Sequence, residues 1–272
     1  MPHDSPLLSP VGPHEPPLDD ASAGPPAGVP RDEALERETA ELLERLGDEQ
    51  GKLLAEGTRA LLIVLQGRDA SGKDGLIRKV FGAFDPQGCH VTPFGVPTEL
   101  ELAHDFLWRV HANVPRRGMV GVFNRSHYED VLAVRVRRLA PERVWSRRYD
   151  HINTFERLLV DEGTTVLKFF LHVSREEQGE RMRKRIENSK KNWKFRAGDL
   201  DDRMLWAEYD EAIADAITRC NPEWAPWYVV PADDKRTRDY LVAQVVAETL
   251  ERMDAHYPPP SSDLSKYLDA IG

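Results

Sequence analysis

Ala60-Leu61-Leu62-Ile63-Val64-Leu65-Gln66-Gly67-Arg68-Asp69-Ala70-Ser71-Gly72-Lys73 is the stretch on which the reading of this chain turns. Its unbroken apolar run, closed by a glycine, predicts a strand buried on both faces over 60–66. A helical pattern starts at Lys73 and extends to 84. A glycine-bounded loop between a buried strand and a helix, ending in lysine, is the context in which backbone amides form a nest for phosphate. Gly67, Ala70, Ser71 and Gly72 would supply the nest, Lys73 the cation for the terminal phosphates, and Arg78 further along the helix a second charge. The plain alternative is a turn that only punctuates strand and helix.

One position departs from the usual signature. Asp74 stands where a Ser or Thr would place a hydroxyl on magnesium. Asp69, inside the loop, is the natural substitute, because hard Mg2+ takes carboxylate, phosphate and water oxygens. The competing reading of Asp69 is a turn cap.

Further short apolar runs predict strands at 89–94, 119–123, 165–173 and 227–230, with helices at 73–84, 98–112, 141–162, 174–187, 199–219 and 235–253 between and after them. Buried strands separated by helices imply an α/β fold with a parallel sheet covered on both faces, a three-layer α/β/α sandwich. Ahead of this unit, Leu35, Leu42, Leu43, Leu46, Leu53 and Leu54 recur at helical spacing and predict an amphipathic helix over 31–56. Residues 1–30 hold nine prolines and no periodicity, and are expected to be a disordered tail. The kinase-like domain is expected at 57–256 and a second tail at 257–272.

The formal net charge of -9 is misleading about partners. Residues 1–50 carry 12 acidic side chains and 3 basic ones, so the remainder is balanced. Its cations cluster. The segment from Arg181 to Arg196 holds eight basic residues and one acidic one, at the place where lids close over phosphates in P-loop enzymes. Arg183 would stabilise charge in the transition state, and Arg185, Lys191 and Lys194 would bind phosphate, although solvated helix surface is the plain reading of any one member. Trp193 and Phe195 are expected to anchor the lid. Arg116, Arg117, Arg135, Arg137, Arg138, Arg147 and Arg148 suggest a wider positive field.

The third predicted strand ends in Asn124-Arg125-Ser126-His127-Tyr128-Glu129-Asp130. Ligands of open α/β sheets lie at the carboxyl ends of strands. Arg125 is suited to a transferring phosphoryl group, Asn124 and Glu129 join Asp69 as candidate metal ligands, and Asn124, His127 and Glu129 as nucleotide or phosphate contacts. A capping box of Ser126 with Glu129 is the competing local explanation. Two isolated cysteines, nine scattered histidines, no apolar run of membrane length and no secretion signal argue against a disulfide framework, a transition-metal site and a membrane span, and for a cytoplasmic protein. Nucleic acid is not expected as a partner, since no recognition motif accompanies the basic run.

Gly67 to Gly75, Phe123 to Val131 and Lys191-Asn192-Trp193-Lys194-Phe195 together resemble the polyphosphate kinase 2 family, over about residues 32–255. His104 to Arg109, Phe169 to His172 and Trp224 to Asp233 extend the likeness. The resemblance implies a thymidylate-kinase-like P-loop fold with a helical lid at about 178–200. It also implies reversible, Mg2+-dependent transfer (Mn2+ substituting) between inorganic polyphosphate and AMP, ADP or ATP, and a homo-oligomer. Carried over by position, Lys73 and Arg125 contact the transferring phosphate, and Asp69 binds magnesium or assists the acceptor. Asn124 stands where many members have Asp. Asn124 with Glu129 resembles the branch acting on both AMP and ADP. An ATP-dependent nucleoside monophosphate kinase, or a P-loop polyanion-binding or regulatory module, are the alternatives.

Overall fold

Five parallel strands form one sheet in the order β2-β3-β1-β4-β5: β1 (Ala60–Gly67), β2 (Cys89–Pro93), β3 (Val120–Asn124), β4 (Thr164–His172) and β5 (Trp227–Pro231). The structure is a computed structural model, and it describes residues 7–12, 16, 18–265, 267 and 271. Alternate residues of β1, β3, β4 and β5 enter two separate cores, while β2 at the edge is partly exposed. Leu61, Ile63, Leu65, Val122, Phe169 and Val230 pack on one face, and Leu62, Val64, Phe123, Phe170 and Val229 on the other. Both faces are thus buried, which explains why the strands read as continuous apolar runs.

The helices follow in chain order as α1 (Asp32–Glu56), α2 (Lys73–Lys79), α3 (Glu99–Leu102), α4 (Trp108–His111), α5 (Ala133–Val136), α6 (Glu142–Asp161), α7 (Arg175–Glu187), α8 (Ala197–Met204), α9 (Trp206–Arg219) and α10 (Lys235–Met253). The leucines of α1 meet Leu241, Val245, Val246 and Leu250 of α10 over the first core. α6 and α9 cover the second through Ile152, Phe155, Ile213 and Ile217. None of the described helices is long and apolar enough to cross a membrane.

Three expected helices are interrupted. The 98–112 helix divides into α3 and α4, because Asp105 turns its carboxylate onto the Leu107 N–H at 2.9 Å and closes a local turn instead of a helical one. The 199–219 helix begins at Ala197 and breaks at Leu205. The 73–84 helix ends at Lys79 and continues as a 3-10 turn, Phe81–Ala83. The cysteines are free, Cys220 buried and Cys89 half-buried, and burial pushes their thiols up to about 12 and about 11.

The described part of residues 1–30 departs from the expected tail. Leu8 is buried in the first core, and the Val11 N–H donates to the Trp227 carbonyl at 2.8 Å. Asn221 Nδ2 donates to the Val11 carbonyl (2.8 Å) and His172 Nε2 to the Asp19 carbonyl (2.8 Å). Asp20 accepts from the Arg175 N–H at the start of α7 (3.2 Å). Composition weighs only what the segment can bury by itself. It misses polar groups at the carboxyl end of β4 and at the start of the edge strand β5 that need partners. At the other end, the described residues beyond 256 are exposed.

Candidate active site

Chain direction over the sheet reverses between β1 and β3, and that is where the polar residues gather. Leu65 is in register with Asn124, and the Arg125 N–H donates to the Leu65 carbonyl at 3.0 Å. The loop after β1 and the turn after β3 are therefore adjacent by strand pairing alone.

The loop from Gly67 to Gly72 has a conformation that side chains resist. Gly67 has φ 153° and Gly72 φ 104°, and a Cβ on Gly72 would lie 2.0 Å from Arg238 Nη1. Ala70 is held at φ 62°, in the left-handed region. What holds it is a set of donors behind the loop. Arg181 Nη1 donates to the carbonyls of Ala70 (3.1 Å) and Ser71 (3.0 Å), while its Nη2 donates to Ala232 (2.6 Å) and Asp233 (2.8 Å). Gln178 Nε2 takes the Asp69 carbonyl at 3.1 Å. Arg238, itself buried and paired with Asp239, reaches Ser71 O at 3.4 Å. With those carbonyls turned outward, trans peptide geometry turns the N–H groups of Ala70 and Gly72 the opposite way, the arrangement of an anion-binding nest.

Lys73 crosses the mouth of the loop. Its ammonium donates to the carbonyls of Gly67 (2.6 Å) and Arg68 (3.1 Å) and is only 8% exposed. Burial, seconded by the Arg125 charge, pushes its pKa down from 10.5 to about 8. Beside it, Arg125 at φ 63° bridges two carboxylates, bonded to Asp69 and 3.5 Å from Glu129. These anions, Glu129 foremost, raise the guanidinium's already high pKa. The buried Gln66 amide, its oxygen toward Ser126, donates to Glu129 at 3.1 Å. Asn124 donates to Asp74 at 3.1 Å, and Lys194 from the lid reaches the same carboxylate at 2.7 Å. The Lys194 hydrogen bond holds Asp74 below the usual carboxylate range. Asp69, Arg125 and Glu129 form the polar wall of a cleft whose other wall is Leu132, Phe170 and Ile213.

Oxygen donors are what a hard cation takes, and the carboxylates of Asp69 and Glu129 stand on either side of one guanidinium. Among the described residues no group of three or more His, Cys, Asp or Glu could hold a metal ion by itself. The donor set fits a cation that completes its shell with phosphate and water oxygens.

The segment expected as the lid, about 178–200, runs from α7 through the 3-10 turn Asn192–Lys194 into α8. Arg185 pairs with Asp199 across it at 3.3 Å. The expectation that Trp193 anchors the lid is corrected: it is 74% exposed, its indole donating to the Lys190 carbonyl.

Other expected residues fall elsewhere. His127 is fully buried on the far side of its turn, 3.2 Å from Glu156 and packed edge-on to Phe155, so it is no phosphate contact. Ser126 caps the turn, but through the Tyr128 N–H at 3.2 Å, and not in a box with Glu129. Arg78, Arg183 and Lys191 are exposed, and none of the described hydrogen bonds or ion pairs joins them to the loop. Of the wider cation set, Arg135 pairs with Asp215 (2.5 Å), Arg137 with Asp202 (2.7 Å) and Arg148 with Asp130 (2.7 Å), so their charge is largely spent locally.

Sequence reasoning missed Arg68, Gln178 and Arg238 and undervalued Arg181. Arg68 is buried against the Trp206 ring, 3.8 Å from its centroid, and pairs with Asp210. For Gln178, Arg181 and Arg185 a signal existed: spacings of three and four place them on one face of α7, whereas Arg183 lies off it.

With the geometry in hand, comparison with known proteins is direct. A family model described as Polyphosphate kinase 2 matches residues 30–258. The chain is 54% identical over 229 residues to the AMP/ADP-polyphosphate phosphotransferase of Meiothermus ruber, covering 84% of this chain and 86% of that one. It is 45% identical over 238 residues to the ADP-polyphosphate phosphotransferase of Rhodopseudomonas palustris, covering 83% and 82%. The crystal structure of polyphosphate kinase 2 from Arthrobacter aurescens TC1 superposes with a TM-score of 0.90 at 37% identity, over 98% of this chain and 95% of that one.

Proposed function

Because the chain belongs to the polyphosphate kinase 2 family, we propose that it is a phosphotransferase moving phosphate reversibly between inorganic polyphosphate and AMP or ADP, making ADP and ATP. The observation that carries this is the meeting of three cations of different origin at one place: Lys73 from the loop, Arg125 from the β3 turn, and Lys194 from the lid, tied to Asp74. The relative named for both AMP and ADP is the 54% identical one, and this supports the dual-acceptor reading.

The terminal phosphates of the donor would lie in the loop, against the amides of Ala70 and Gly72, with Lys73 across them. An oxygen of the acceptor's terminal phosphate attacks the donor's terminal phosphorus in line. A new P–O bond forms, the anhydride bond behind it breaks, and its electron pair leaves on the shortened chain. No covalent enzyme intermediate is needed. Arg125 neutralises charge on the equatorial oxygens, and its two carboxylate partners fix its orientation. Lid cations close over the chain and exclude water. Asp69 and Glu129, with the Asn124 amide oxygen, are the residues that would hold Mg2+, or Mn2+ in its place. The ion would neutralise phosphate charge during transfer.

The test is ATP formation by the purified protein with Mg2+ and long-chain polyphosphate, supplied with ADP or with AMP. ATP from both is expected. ATP from ADP alone removes the dual-acceptor part, and turnover of AMP with ATP but not with polyphosphate replaces the proposal with a nucleoside monophosphate kinase.

A further inference from the structure

Below the Arg125 turn, on the side away from the loop, lies a polar cluster with which no step of the transfer deals. Glu156 of α6 and Lys168 of β4 are both completely buried, 2.6 Å apart. Lys168 Nζ also donates to the Cys220 carbonyl at 2.8 Å and to Tyr128 Oη at 3.1 Å. Two consecutive residues of the turn end on this one carboxylate. Tyr128 Oη donates to Glu156 Oε1 at 2.9 Å, and His127 Nε2 lies 3.2 Å from the same oxygen. A carboxylate oxygen only accepts, so that histidine nitrogen carries the proton. Its Nδ1 is buried without a partner, so Glu156 is what fixes the ring.

The segment 125–130, which ends in the 3-10 turn His127–Asp130, therefore divides its side chains by direction. Arg125 and Glu129 go up to the cleft, and His127 and Tyr128 go down to Glu156. α6 grips the turn a second time, where Arg148 Nη1 donates to the Asp130 carboxylate (2.7 Å) and carbonyl (3.0 Å). Arg125 itself is held in the left-handed region, a conformation that a residue with a side chain keeps only when its surroundings impose it. Burying an ion pair is a poor route to stability. A small misplacement of a reacting group, by contrast, is costly to rate.

We propose that Glu156 is a positioning residue for phosphoryl transfer: through Tyr128 and His127 it fixes the turn that sets Arg125 and Glu129 against the transferring phosphate. Lys168 serves it by neutralising its charge. What the turn needs from position 156 is a well-placed acceptor, not a charge. This rests on the transfer activity proposed above, but the placement of the turn can also be read without turnover.

Two charge-neutral double variants separate acceptor from charge. In Glu156→Gln with Lys168→Met an amide oxygen remains for Tyr128 and His127, whereas in Glu156→Leu with Lys168→Met none does. Both are measured for melting temperature, for kcat and KM with polyphosphate and ADP, and for amide hydrogen exchange over 124–130. The Gln variant is expected within about threefold of wild-type kcat. The Leu variant, folded, is expected to lose about 100-fold in kcat with KM changed less than about threefold, and to exchange the turn amides at least about tenfold faster. Equal kcat and equal exchange in the two folded variants would overturn the proposal, as would a loss confined to KM. If the Leu variant fails to fold, Tyr128→Phe decides. A kcat about tenfold below wild type at near-normal melting temperature supports positioning, and one within about twofold refutes it. A wild type inactive on polyphosphate would remove the activity assignment, and the exchange comparison would still accept or reject the role of Glu156.

Discussion

The phosphate loop and the lid both present cations to the same cleft, yet they hold them in opposite ways. Around the loop, Lys73, Arg181 and Arg238 are buried, and most of their hydrogen bonds end on backbone carbonyls, the rest on neighbouring side chains such as Asp239 and Glu177. Past the first half of α7, whose Gln178 and Arg181 hold the loop, the segment expected as the lid makes a surface pair: Lys194 meets a half-exposed Asp74, while Trp193 and Lys191 face solvent. Buried donors in low dielectric act strongly and are already oriented, whereas exposed charges are screened and gain strength only when the ligand covers them. The hydrogen bonds that shape the loop are thus in place without any ligand.

Substitutions should separate the two regions by the size and kind of their effect. The largest is expected for Lys73→Ala, a kcat loss of about 1,000-fold or more, with melting temperature unchanged or raised because an expensive buried cation is gone. Coupled ATP formation and thermal denaturation check this. Arg181→Met comes next, releasing four carbonyls without adding to the ligand. A fall of about 100-fold in kcat/KM is expected together with a lower melting temperature. Loss of rate without loss of stability would instead mean that Arg181 touches the phosphates.

The third test uses pH. Burial brings the Lys73 ammonium down to about 8, and a bound polyanion favours its charged form. Below pH 8 the lysine is already protonated, so polyphosphate affinity is flat. Between 8 and the unfolded value of 10.5 binding must take up a proton, and KM should rise by up to about tenfold per pH unit. For folding the sign is opposite: the unfolded chain holds the extra proton in that window, so this lysine's contribution to stability grows as pH rises through it and is lost as pH falls through 8. A KM constant to pH 9.5 breaks the argument. The smallest effect is expected for Lys194→Ala, about a threefold rise in KM for polyphosphate with kcat and melting temperature almost unchanged. A large kcat loss there would move Lys194 from the lid's character to the loop's.

How far the sequence could be read follows the same division. Strands β1, β3, β4 and β5 were visible because two-sided burial writes an apolar run, and the loop because its glycines and lysine have no cheaper reason to stand together. Arg125 and Glu129 were visible from their place at a strand end. His127 was not: in the string His127-Tyr128-Glu129-Asp130 nothing marks which polar residues turn inward, since the deciding partners, Glu156 and Lys168, are remote in sequence. Arg181 was hidden in a basic run that looked uniform, where only helical phase separates the residue that grips the loop from Arg183 in solvent. The 98–112 helix failed at one aspartate whose local hydrogen bond outcompeted the helical one. The described part of 1–30 was misjudged because its partners, among them His172, Asn221 and Trp227, lie 153 or more residues away.

That last distance carries a consequence for how the protein is made. Val11 pairs with Trp227, and the leucine face of α1 with α10. Synthesis proceeds from the amino end at about 5–20 residues per second, so these early segments wait roughly ten seconds or more for their partners. During that interval a helix with an apolar face and a proline-rich strand-end plug are exposed at the ribosome, and the central strand β1 lacks β4 as well. Slow translation between α1 and α10 therefore bears on the soluble yield of this protein far more than on the chemistry of the finished enzyme.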